Sequence, residues 1–169
     1  MRFVRFAILA FVVLCVASAA YAAPMPRREN PDLVTFSAGE YDVFDDKKAA
    51  EFVLEYRVKS WNWNTMSPLV GIMATTDGAV YGFAGLGFDW FINKNWVVNP
   101  NFAAGAYHNG SGKDLGSAIE FRSGLELNYV MEDRARLGLA FNHISNASIG
   151  DENPGTESLL LTYSMPIGW

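Results

Sequence analysis

Cysteine is all but missing from this sequence. The single cysteine, Cys15, lies in an apolar run near the N-terminus. Leu14 precedes it where a lipoprotein signal would place a small residue, so Cys15 reads as core of a signal peptide and not as a lipid attachment point. The chain beyond that run can form neither a disulfide nor a thiolate metal site. Histidine is scarce: only His108 and His143 occur, and neither lies in a ligand cluster, so no metal and no cofactor is expected. Blocks of Lys and Arg are missing too, and the net charge is −5, which argues against nucleic acid as a partner. After residue 22 no apolar stretch is long enough for a transmembrane helix, although half of all residues are hydrophobic. Any membrane crossing must therefore be made by strands.

The N-terminus has the three parts of a secretory leader. Arg2 and Arg5 form a basic start, Phe6 to Val16 is apolar but short, and Ala20-Tyr21-Ala22 offers small residues for cleavage before Ala23. Residues 1–22 are read as a signal peptide and 23–31 as a flexible lead-in. Residues 32–169 are read as one eight-stranded antiparallel transmembrane β-barrel of the bacterial outer membrane.

The barrel reading rests first on alternation with period two. Eight strands are expected, at 32–42, 50–60, 69–77, 79–91, 95–108, 117–130, 134–147 and 157–169. In 117–130, Ile119, Phe121, Leu125, Leu127 and Tyr129 share one face, while Glu120, Arg122, Gly124, Glu126 and Asn128 share the other. In 50–60, Phe52, Leu54, Tyr56 and Val58 alternate with Glu51, Glu55, Arg57 and Lys59. A sandwich would bury the apolar face, whereas a small membrane barrel turns it to lipid and packs the charges inside as pairs. The last strand decides for the barrel: it ends on Trp169 and runs back by twos through Ile167, Met165, Tyr163, Leu161 and Leu159. Trp61, Trp63, Trp90, Trp96 and Tyr107 sit near strand ends, where interface aromatics belong. Tyr81 and Phe83 fall opposite Leu86 and Phe88 in parity, which leaves the register of 79–91 open. An even strand number puts the connections near 43–49, 78, 109–116 and 148–156 outside, and those near 61–68, 92–94 and 131–133 in the periplasm.

Chemistry concentrates in Phe141-Asn142-His143-Ile144-Ser145-Asn146-Ala147 and in Glu157. His143 and Ser145 are two residues apart, so on a strand they share a face about 6.6 Å apart. A hairpin centred near Gly150 would put Glu157 opposite His143 on that same face, with Cβ atoms roughly 4.5–5.5 Å apart. Acid, base and hydroxyl then stand in the order a serine hydrolase uses. By parity with Leu137, Leu139, Leu159 and Leu161, all three lie on the apolar outward surface, where polar groups are costly. The opposite face carries Gly138, Ala140, Asn142, Ser158, Thr162 and Ser164, which fits a packed polar interior. Spacing alone also fits three polar residues that mark where lipid ends and water begins.

These residues resemble those of the lipid A 3-O-deacylases. The resemblance is carried by His143-Ile144-Ser145-Asn146-Ala147 and by Glu157 fourteen residues after the histidine; Asn153 falls where the family has a loop asparagine. The resemblance implies Ser145 as nucleophile, His143 as general base and Glu157 as the acid that orients it. It implies lipid A of lipopolysaccharide as substrate, hydrolysis of the acyl ester at the 3-position, an outer-membrane location and, as one option, a homodimer. Oxyanion donors are sought among the backbone N–H groups of Ala147 and Ser148 and the side chains of Asn146 and Asn153. Three other functions compete. A non-catalytic structural or adhesion barrel would tolerate Ser145→Ala. An acyltransferase barrel would hold its acyl chain in an apolar lumen, which inward Glu120, Arg122 and Glu126 oppose. A soluble lipid-binding barrel would not end its last strand on Trp169.

Overall fold

The computed structural model describes residues 31–59 and 66–167. The expected signal peptide, most of the expected lead-in, Trp61, Trp63 and Trp169 lie outside the described residues. The strands are β1 (Asp32–Tyr41), β2 (Ala49–Arg57), β3 (Met66–Thr75), β4 (Val80–Phe88, continued by Trp90–Phe91), β5 (Trp96–His108), β6 (Ile119–Val130), β7 (Arg136–Ser145) and β8 (Thr156–Ile167). Each pairs antiparallel with its neighbours in the chain, and β1 pairs with β8 from Asp32↔Ile167 to Tyr41↔Ser158. The sheet is therefore a closed eight-stranded barrel, which leaves no strand edge unpaired. Among the described residues no helix is long and apolar enough to cross a membrane.

Alternation sorts the side chains as their sequence pattern expects. Phe36, Phe52, Leu54, Val70, Ile72, Leu127, Leu139 and Leu161 are exposed on the outside. Glu55, Arg57, Asn101, Arg122 and Glu126 are buried inside. This inverts a water-soluble barrel, and an exterior so apolar is built for lipid. Belt and lumen part company at Tyr107. Its place at a strand end suggested an interface aromatic, but its odd position turns it inward, where its hydroxyl meets Tyr41 Oη at 2.9 Å.

The lumen is not uniformly polar. Toward the periplasmic end an ionic lattice fills it. Arg57 Nη2 donates to Glu55 Oε1 (2.5 Å) and Glu126 Oε1 (2.9 Å), and Arg122 Nη2 donates to Glu55 Oε2 (2.8 Å). Asp89 accepts from Arg136 Nη2 and pairs with Lys59 Nζ, at 2.9 and 2.8 Å. Such charges are tolerable only because each is paired. Glu120 departs from this: it is fully buried, and neither carboxylate oxygen has a hydrogen-bond partner among the described residues. Toward the outer end an apolar cluster takes over, with Met73, Tyr81, Phe83, Leu115, Ile144 and Leu160. The register of β4 is thus settled with Tyr81 and Phe83 inward and Leu86 outward. Arg122 lies 3.9 Å from the centroid of the Phe83 ring, where the two halves of the lumen meet.

β4 breaks at Asp89 for a local reason. Gly87↔Asn101 and Trp90↔Val98 keep one register, so Pro100 stands opposite Phe88. Proline has no N–H to donate. Asn99 Nδ2 serves the Phe88 carbonyl instead, at 2.9 Å.

Candidate active site

His143 and Ser145 end β7, and Glu157 is the second residue of β8. Between the two former residues Ile144 points inward and is buried, which pins their parity outward. The β7–β8 register pairs His143 directly with Glu157. Imidazole Nδ1 lies 2.9 Å from Glu157 Oε1, and both side chains remain partly open, at 35% and 23% of their area. A carboxylate there accepts the Nδ1–H and leaves Nε2 as the free acceptor. The structure thus brings His143 and Glu157 together. It shows no hydrogen bond from Ser145 Oγ to the imidazole, a contact that commonly tightens only around substrate.

Beyond Ser145 the chain makes a strained turn. Ala147 and Ser148 both have positive φ, 54° and 65°, and Ile149 N–H donates back to Asn146 C=O at 3.1 Å. Two central residues of positive φ are the mark of a turn normally made with Asn and Gly. Without glycine this conformation costs on the order of 1–3 kcal/mol per residue. Asn146 holds it in place. Its Nδ2 donates to Leu115 C=O (2.9 Å) and Glu152 C=O (2.7 Å), and its Oδ1 accepts from Ser148 N–H (2.8 Å). Asn153 Oδ1 accepts the Asn146 N–H at 3.1 Å, and Asn153 Nδ2 donates to Ser148 Oγ at 3.3 Å.

These bonds thin out the expected oxyanion donors. The Asn146 amide spends both hydrogens on loop carbonyls inside the rim, and the Ser148 N–H is taken. The Ala147 N–H is left as the backbone donor with no described acceptor, and Asn153 Nδ2 is held only by a long, exposed contact. Among the described residues no group of three or more His, Cys, Asp or Glu is placed to hold a metal ion.

Three neighbours escaped the sequence reading. Gly155 has φ of +66°, and a Cβ there would press on the His143 ring, 3.0 Å from Cε1. The Asn153-Pro154-Gly155 run was the only signal for it. Phe44, 72% exposed in the β1–β2 connection, reaches over to Phe141 with ring centroids 6.1 Å apart. Asp42, fully buried, accepts from Thr156 Oγ1 at 3.0 Å, next to Glu157. An open apolar groove of about 510 Å³ runs along the outward face of β8, β1 and β2, lined by Phe36, Ala38, Phe52, Leu54, Leu161 and Tyr163. Leu161 is four residues from Glu157 on the same face.

A closed barrel with an apolar exterior, and with His, Ser and Glu gathered on that exterior at one rim, defines a small transmembrane β-barrel with a lipid-facing polar site. The family model for lipid A 3-O-deacylase (PagL) matches residues 50–166, and the chain belongs to that family. The lipid A deacylase PagL of Bordetella bronchiseptica is 30% identical over 79 residues, covering 46% of this chain and 44% of that relative. The match therefore spans less than half the length of this relative. Among solved structures, the outer membrane enzyme PagL superposes with a TM-score of 0.65 at 18% identity, over 80% of this chain and 99% of that one. Neisserial surface protein A (NspA) gives 0.59 at 10% identity, over 80% and 97%. A de novo designed transmembrane β-barrel gives 0.55 at 13% identity, over 85% and 100%. A designed barrel shares the fold, so the fold by itself assigns no chemistry.

Proposed function

We propose that this chain is an outer-membrane serine esterase that hydrolyses the acyl chain ester-linked at the 3-position of lipid A. Family membership supports the substrate class. The observation that carries the mechanism is the 2.9 Å contact between His143 and Glu157 on the lipid-facing surface, with Ser145 two residues along the same face. Such a pair is costly in contact with lipid and is seldom kept without a use.

In this reading Ser145 Oγ attacks the ester carbonyl while His143 Nε2 takes its proton. Glu157 keeps the imidazole in the Nδ1–H form and stabilises the imidazolium. The Ala147 N–H, with Asn153 Nδ2 beside it, supports the oxyanion. Collapse expels the sugar 3-hydroxyl, which takes the proton from His143 and leaves the acyl chain on Ser145. Water, deprotonated by the same imidazole, then releases the fatty acid. The apolar groove on the same outward wall, reached at Leu161 four residues from Glu157, offers the acyl chain a path along the barrel. Lipid A reaches such a site sideways from the outer leaflet, without entering the lumen.

The test is the mass of lipid A from cells that express each variant. Wild-type protein should remove one ester-linked acyl chain. A folded Ser145→Ala barrel that still removes it would overturn the assignment of the nucleophile.

A further inference from the structure

Three of the connections at the outer end of the barrel are tied together by side chains: 42–48, 109–118 and 146–155. The middle one supplies neither His143, Ser145 nor Glu157, yet it grips the other two on both flanks. On one flank Lys113 Nζ contacts Asp42 Oδ1 and Asp45 Oδ2, each at 2.6 Å. Asp42 Oδ1 also accepts from Thr156 Oγ1 (3.0 Å), and its Oδ2 accepts from Lys47 N–H (2.9 Å). The next residue, Val43, donates its N–H to the Glu157 carbonyl at 3.1 Å. Thr156 and Glu157 are thus both held by the first two residues after β1. On the other flank the Leu115 carbonyl accepts from Asn146, the residue after Ser145. From below, Tyr107 Oη donates to the Lys113 carbonyl at 2.7 Å.

Asp42 is an expensive residue. It is buried, charged and has φ of 58°. A buried carboxylate needs a counter-charge, and a non-glycine residue of positive φ persists only where its surroundings hold it. Lys113 supplies the charge. Burial works against its ammonium, but the hydrogen bonds and charges of Asp42 and Asp45 outweigh that and raise its pKa, so it stays cationic at neutral pH.

We propose that Lys113 is a positioning residue: by anchoring Asp42 it holds Glu157 in hydrogen-bond register with His143, although it lies 44 residues earlier in the chain and touches neither. This rests on the esterase reading above. The energetic logic is that of a support. An orienting carboxylate displaced by even about 1 Å can cost on the order of a hundredfold in rate without loss of binding.

The experiment uses full-length barrels refolded in detergent, purified lipid A in mixed micelles, and mass spectrometry of the released fatty acid. Lys113→Met should lower kcat about ten- to a hundredfold, with KM within about twofold of wild type. Lys113→Arg should restore most of the rate. Thr156→Val, which removes only the hydroxyl contact, should lower kcat to a smaller degree, and it decides the matter if Lys113→Met does not fold. The ¹⁵N-edited NMR signal of the His143 Nδ1–H reads the same contact without turnover, and it should broaden or shift upfield in Lys113→Met. Wild-type kcat in a folded Lys113→Met barrel overturns the proposal. So does a rise in KM alone, an unchanged His143 signal, or failure of Lys113→Arg to recover activity. If wild-type protein releases no fatty acid, the esterase reading fails, and the NMR comparison alone decides whether Lys113 positions the pair.

Discussion

The barrel holds two kinds of acid–base contact, and they face opposite ways. Arg57 with Glu55 and Glu126 points inward, is closed off from solvent and lipid, and sits among further partners. His143 with Glu157 points outward, stays partly open, and is flanked by a turn with two non-glycine residues of positive φ. Both contacts are made by long or ionisable side chains on β-strands, at 2.5–2.9 Å. What differs is how much surrounding structure would be lost with them. The inward lattice is redundant and holds the wall together. The outward pair has no further ionic partner among the described residues and stays partly open where polarity is a liability, which is the pattern of a group kept for use.

Substitutions can break or sharpen this contrast. The largest effect is expected from Ser145→Ala. Release of the acyl chain should fall by at least about 10⁴-fold, while the barrel still migrates as a folded species on unheated gels. Glu157→Gln comes next. It keeps shape and a hydrogen bond but removes the charge that supports the imidazolium, so kcat should drop by about 10³- to 10⁴-fold, with Ser145 still present. That variant should leave the melting temperature almost unchanged. If it destabilises the barrel as strongly as a lumen variant, the contrast collapses.

Arg57→Met reverses the pattern. It leaves Glu126 without its cation and Glu55 with Arg122 alone, and breaking a buried pair costs about 3–5 kcal/mol. Thermal denaturation should show that loss, while the kcat of the protein that remains folded stays near wild type. Phe44→Ala should have the smallest effect. Phe44 faces the site from the β1–β2 connection and leans on Phe141. Losing its apolar surface should raise KM about three- to fivefold, with little change in kcat or melting temperature. Steady-state kinetics on lipid A in micelles would check it.

How far the sequence could be read follows from how local each cause is. Alternation in 50–60 and 117–130 told inside from outside because the pleat has a period of two. The facing of His143 and Glu157 was legible because a hairpin centred on Gly150 is a local object. Other features depend on partners far away in the chain. Tyr107 looks like an interface aromatic until Tyr41 and Lys113 are known to meet it. The polar interior inferred from β6, β7 and β8 missed the apolar upper lumen, because β3 and β4 supply Met73, Tyr81 and Phe83. Alternation with Ser145 turns Asn146 inward. That its amide ties two loops together could not be seen without Leu115 and Glu152.

The seam between β1 and β8 has a consequence in time. Asp42 and Val43 reach Thr156 and Glu157 only after the two ends of the sheet have zipped from Asp32↔Ile167 to Tyr41↔Ser158. A chain still in transit, with that seam open, holds the last hairpin but not its clamp. On the esterase reading proposed above, this makes biogenesis its own safety catch. On that reading the chain becomes competent only when the seam closes at insertion, so the last step of its maturation is a change of topology.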